Sequence, residues 1–108
     1  RELGLIDWTR PAAQIHNLVR GLSPAPCAYC FYNDKQLKIV RTSISACSEK
    51  ANIPPGTVIN VSKNGPLTVQ CGQGTLDVHV VQPEGGRILT AGEFIRGYRI
   101  QPGETFWR

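Results

Sequence analysis

The stretch that decides the fold is "TVINVSKNGPLTVQCGQGTLDVHVV", residues 57–81. Short apolar-polar alternations, rich in β-branched residues, are separated by glycine turns. That pattern predicts strands rather than helix. "TVINVS" reads as one strand, Asn64-Gly65 as a tight turn, and "PLTVQC" as the return strand. Leu67, Val69 and Cys71 fall on one face. "GQG" turns the chain again into "TLDVHVV". There Leu76, Val78 and Val80 are expected to face inward, and Asp77 and His79 outward.

Working outward, "QLKIVRTSISA" (36–46) is a longer β-prone run whose alternation slips at Val40-Arg41, the signature of a bulge. Tyr29–Tyr32 forms a strand closed by the Asn33-Asp34 turn. Upstream, Ile15, Leu18, Val19 and Leu22 recur at helical spacing in "RPAAQIHNLVRGLSPAP" (10–26). Thr9 is expected to cap that helix, Pro11 to sit in its first turn, and Gly21 to stop it. "SPAP" then predicts an extended exit. Downstream, "RIL" is a short strand. "TAGE" is a capping box, with Thr90 as N-cap and Glu93 three residues on. The second helix is expected to stop at Gly97, and "YRIQPGETFWR" to be an extended tail. One amphipathic helix, about six short strands and a short C-terminal helix predict a mainly β fold. The layout fits a small closed or partly open β-barrel, such as one resembling an oligonucleotide-binding fold, with a sandwich as the alternative. Residues 1–8 are expected to be a linker or lead-in segment, and 9–108 the barrel domain.

Composition narrows the function. The chain has 108 residues, enough for one domain. Twelve Lys and Arg against eight Asp and Glu give +4, and eight of the twelve are arginines, which suit bidentate phosphate contacts. No apolar run reaches the roughly 18 residues of a membrane span. There is no methionine, so the chain reads as a fragment, a processed chain or an excised domain.

Four cysteines raise the question of metal. Cys27 and Cys30 form C-A-Y-C, but Cys47 and Cys71 are isolated, and a structural zinc needs four ligands. On a strand, Cys27 and Cys30 point to opposite faces. All four are expected to be small hydrophobes in a reducing compartment, with no bound zinc. His16 beside Asn17 invites a catalytic reading, yet no acid-base partner accompanies them. They are expected to hydrogen-bond the backbone of the following loop, and His79 to be a satisfied surface residue. No catalytic residue is assigned.

"IDW", "PAAQIHNLVRG" with "SPAP", "PPGTV", "CGQGTL", "VQP" and "IRGYRI" occur in this order over about residues 6–106. Together they resemble the C-terminal domain of the methionyl-tRNA formyltransferase family. The sequence departs from that pattern at Ala25 and Cys27, where relatives often carry an aromatic residue and a glycine. The resemblance implies a small open barrel attached by a linker to an N-terminal Rossmann-like catalytic domain. That domain would carry the catalytic residues and the 10-formyltetrahydrofolate site. The parent enzyme would be cytoplasmic, or in an organellar matrix if eukaryotic, and would formylate the methionine of initiator methionyl-tRNA. The resemblance places Arg99 where relatives carry a tRNA-contacting arginine. Arg96 beside it, and Arg41, Lys38 and Lys63 on or beside strands, are the other basic candidates for tRNA phosphates. Two other classes compete. One is the same domain in a related formyltransferase or formyltetrahydrofolate hydrolase with a small substrate. The other is a structural or protein-interaction barrel.

Overall fold

The computed structural model describes residues 3–107. Helix α1 (Ala12–Leu22) is followed by strands β1 (Ala28–Tyr32), β2 (Lys35–Ile44), β3 (Val58–Val61), β4 (Leu67–Gln70), β5 (Thr75–Pro83) and β6 (Leu89–Thr90), then helix α2 (Ala91–Tyr98). The strands pair antiparallel in the order β1-β2-β5-β4-β3, and β6 pairs with β5. The sheet curls without direct pairing of β1 to β3. The architecture is mainly β and of the open-barrel type, one of the two barrel forms that the strand spacing allows.

The C-terminal tail bridges the gap between the two edge strands. Val58 N–H donates to the Glu104 carbonyl and Gly103 N–H to the Val58 carbonyl, both along β3. Two residues on, Phe106 accepts from Phe31 N–H on β1, and Trp107 bridges Phe31 in parallel. Unpaired strand edges are aggregation liabilities, and here the tail covers both. Residues before α1 do the same further along β1: Tyr29 N–H donates to the Gly4 carbonyl and Ile6 N–H to the Tyr29 carbonyl. Ile6 and Trp8 are buried in the core with the strand residues.

The bulge falls where the sequence slips. The β2–β5 register shifts between Ile39 and Arg41 and again before Thr42. The shift moves the inward phase of β5, so Val81, not Val80, is fully buried. Alternation also fails on β4, where all four residues are buried. Thr68 is occupied by the Asp77 carboxylate at 2.7 Å. The Gln70 amide ties down the β2–β3 loop, accepting from Lys50 N–H and donating to the Lys50 and Ile53 carbonyls. A loop thus covers the face that the sequence pattern assigns to solvent.

The helix ends differ from expectation. Thr9 turns back to Asp7, its N–H and hydroxyl both bonding Oδ1, and is not the cap. Pro11 holds the N-cap position without a side-chain bond, and α1 runs past Gly21 to Leu22. "SPAP" forms a turn rather than an extended exit, closed by Cys27 N–H on the Leu22 carbonyl at 2.9 Å. Cys27 has φ 73° and precedes β1. It and Cys30 therefore do not lie on opposite faces of one strand, and both are buried. At α2 the capping box forms as expected. Gly97, however, stays within the helix. Arg99 takes the left-handed position (φ 55°), while Ile100 N–H returns to the Ile95 carbonyl and its side chain enters the core.

Cys27, Cys30 and Cys71 are buried, and Cys47 is exposed. Burial pushes the Cys30 thiol well above its usual range, and burial with Glu49 nearby pushes Cys71 up to about 12. The thiolate is the reactive form. Under native conditions at neutral pH, a thiol reagent should therefore modify Cys47 alone, and all four cysteines after denaturation. Rapid native labelling of two or more would contradict this packing.

Candidate nucleic-acid interface

Helix α2 and the β3–β4 turn build one basic face together. Gly92, in the first turn of α2, lies against the turn so closely that a Cβ would stand 2.8 Å from the Asn64 carbonyl carbon. One turn further along the helix, Arg96 Nη1 donates to Asn64 Oδ1 at 2.9 Å and to the Lys63 carbonyl at 3.2 Å. Arg96 is thereby fixed beside Lys63. A cleft of about 220 Å³ opens next to this clasp, lined by Arg41, Asn64, Gly65, Pro66, His79, Thr90 and Ala91. Arg41, at the β2 bulge, forms one of its walls.

Among the described residues, Arg41, Lys63, Arg96 and Arg99 make no ion pair. Charge left unpaired on a surface is free to meet phosphates. His79 Nε2 lies 2.7 Å from Ser43 Oγ. Burial and the neighbouring Arg41 hold its pKa below the usual histidine value, against the opposing pull of Asp77. His79 is thus a satisfied residue on the wall of the cleft, beside Arg41. The Asn64-Gly65 turn was visible in the sequence, but its clasp by Arg96 was not, because the two lie 32 residues apart.

Arg99 stands one residue beyond α2. A non-glycine residue in the left-handed region costs about 1–2 kcal/mol, and glycine is the usual occupant at a helix C-terminus. The backbone there turns Ile100 inward and leaves Arg99 exposed. Lys38 does not join this group. It lies in another groove with Gln36, Gln82, Pro83, Glu84 and Gly85, where the Glu84 carboxylate accepts from Gln36 N–H.

His16 and Asn17 part ways. His16 Nδ1 lies 2.8 Å from the Thr42 hydroxyl, joining α1 to β2. Asn17 accepts from Arg20 within the helix at 2.9 Å. Neither holds the following loop, contrary to the sequence expectation. A helical residue facing the barrel meets β2 before it can reach the turn behind it.

Comparison with known proteins places this geometry in a family. The formyl transferase C-terminal domain model matches residues 1–99. The chain is 43% identical over 101 residues to a methionyl-tRNA formyltransferase of Clostridium novyi, covering 94% of this chain and 32% of the relative. It is also 43% identical over 103 residues to one of Citrifermentans bemidjiense, covering 95% and 31%. The chain thus spans about a third of the length of these curated relatives. A crystal structure of an Aquifex aeolicus HypX variant superposes with a TM-score of 0.73 at 14% identity, over 95% of this chain and 18% of that one. HypX in complex with tetrahydrofolic acid gives 0.66 at 17% identity, over 89% and 18%. These two likenesses bear on the fold alone. With the family model matching nearly its whole length, the chain belongs to the formyl transferase C-terminal domain family.

Proposed function

We propose that this chain is the tRNA-binding C-terminal domain of a methionyl-tRNA formyltransferase. Its role is to hold initiator methionyl-tRNA, while a preceding Rossmann-like catalytic domain transfers the formyl group from 10-formyltetrahydrofolate. The observation that carries this reading is the 43% identity to methionyl-tRNA formyltransferases across nearly the whole chain. The unpaired basic face supports it. The reading assigns no chemical step to residues of this chain. Arg99 and Arg96 are the principal phosphate contacts, with Lys63 and Arg41 flanking them and Lys38 a peripheral contact on its own groove.

In the full-length enzyme, Arg99→Gly should leave the fold at least as stable, because glycine relieves the left-handed strain. It should also weaken tRNA binding and lower the magnitude of the salt slope by about one unit. Adding Arg96→Ala should lower it by about one more, with folate affinity unchanged. If tRNA affinity and its salt dependence survive the double substitution, this face does not bind tRNA.

A further inference from the structure

We propose that the outer face of β1, formed by Leu5, Tyr29, Phe31 and Trp107, is the docking surface for the domain that precedes this chain in the full-length enzyme. This rests on the reading above, in which the chain is the C-terminal third of a longer enzyme. The register puts these side chains together. Leu5 bridges Tyr29 and Phe31 bridges Trp107, each in parallel, and bridged residues share a face of the sheet. Tyr29 and Phe31 are two apart on one strand and so face the same way. Their rings meet edge to face at 5.8 Å. Leu5, Phe31 and Trp107 are exposed by 37%, 36% and 42%. Three of the seven large exposed hydrophobic side chains among the described residues are therefore gathered at this one edge, where scattered singles would be unremarkable.

The aromatic rings of the patch are also closely packed against backbone. Gly56, at φ +91°, carries the Trp107 indole so closely that a Cβ would lie 2.2 Å from the ring. Gly4 lies under Tyr29, where a Cβ would stand 3.3 Å from the ring. Aromatic side chains held in place before contact are typical anchors of an interface. One strand over, the same face turns polar, with Lys38 opposite Tyr29 and Gln36 opposite Phe31. An apolar centre with a polar rim is the anatomy of an interface.

The occupant follows from where the chain enters. The curated relatives are about three times as long as this chain, and the matching family is a C-terminal domain. On the reading above, the remainder leads into residues 3–6, which pair along β1. A domain tethered there is held at high effective concentration, so a modest apolar contact suffices to seat it.

The test is hydroxyl-radical footprinting of the native full-length protein, read residue by residue and normalised to the denatured chain. Leu5, Phe31 and Trp107 should be protected several-fold relative to Tyr98, which is comparably exposed in this domain. Leu5→Ser combined with Phe31→Ser should restore labelling of Trp107 while tRNA binding through the Arg96 face persists. Labelling of Trp107 at the rate of Tyr98 would overturn the proposal. Protection that disappears on dilution would assign the patch to a second copy, and protection appearing only with tRNA would assign it to RNA; both overturn it. A native polypeptide with no preceding domain overturns the functional reading as well, whereas a two-domain protein with an open patch overturns only this one.

Discussion

Replacing Phe106 by alanine is expected to lower the unfolding free energy by about 3–5 kcal/mol. Phe106 is fully buried although it is the third residue from the end of the chain. Its ring lies 5.7 Å from Tyr32 at an interplanar angle of 89°, and 6.4 Å from both Trp8 and Phe94. The residue therefore joins the lead-in segment, β1 and α2 at one point. Its backbone, between β3 and β1, accepts from the Trp8 indole N–H at 3.2 Å. Truncation removes the ring contacts but leaves those backbone bonds, so the loss measures packing and cavity formation. Phe106→Leu, which keeps most of the volume, should cost about 1.5 kcal/mol or less. Domains of this size hold only about 5–15 kcal/mol in total, so the alanine variant should be markedly easier to denature with urea. A cost below about 1 kcal/mol would mean that the tail does not fold cooperatively with the barrel.

That role for the tail shows where sequence reading stops. The strands, the bulge at Val40-Arg41, the Asn64-Gly65 turn and the Thr90–Glu93 capping box were legible because each is written within a few neighbouring residues. The cover over β4, the seating of Ile6 and Trp8 and the bridging path of Gly103–Trp107 depend on partners far away in the chain. No local periodicity reports them. The candidate site divides the same way. Arg96 and Arg99 were visible as basic residues at the end of a helix, and the family resemblance singled out Arg99. The clasp of Arg96 on Lys63 and Asn64, and the separation of Lys38 from that group, follow only from how β2 and α2 pack. Helix ends were misread where a stronger local competitor won. Asp7 captured Thr9, and the burial of Ile100 carried the helix end past Gly97 to Arg99.

Two glycine substitutions should have opposite effects. Gly72 follows β4 in the turn on which the segment before α1 is seated. Its N–H donates to the Trp8 carbonyl at 2.9 Å and the Arg10 carbonyl at 3.1 Å, and next door Ala12 N–H donates to the Gln73 carbonyl at 2.8 Å. A Cβ on Gly72 would lie 1.7 Å from the Thr9 carbonyl oxygen. That neighbour is backbone, so no side-chain rotation relieves the clash. Gly72→Ala must push residues 8–10 away, losing these bonds and loosening Trp8 from the core, at a cost of about 3 kcal/mol. Gly97 is the counterpart. A Cβ there meets nothing within 4 Å, and the residue lies inside α2. Gly97→Ala should therefore stabilise the domain by about 0.5–1 kcal/mol through helix propensity alone. Had the helix stopped at Gly97 with that residue left-handed, alanine would destabilise it instead. Urea denaturation of the two variants checks both statements. A stable Gly72→Ala protein would deny the close seating of the lead-in segment, and a destabilised Gly97→Ala protein would return the end of α2 to Gly97.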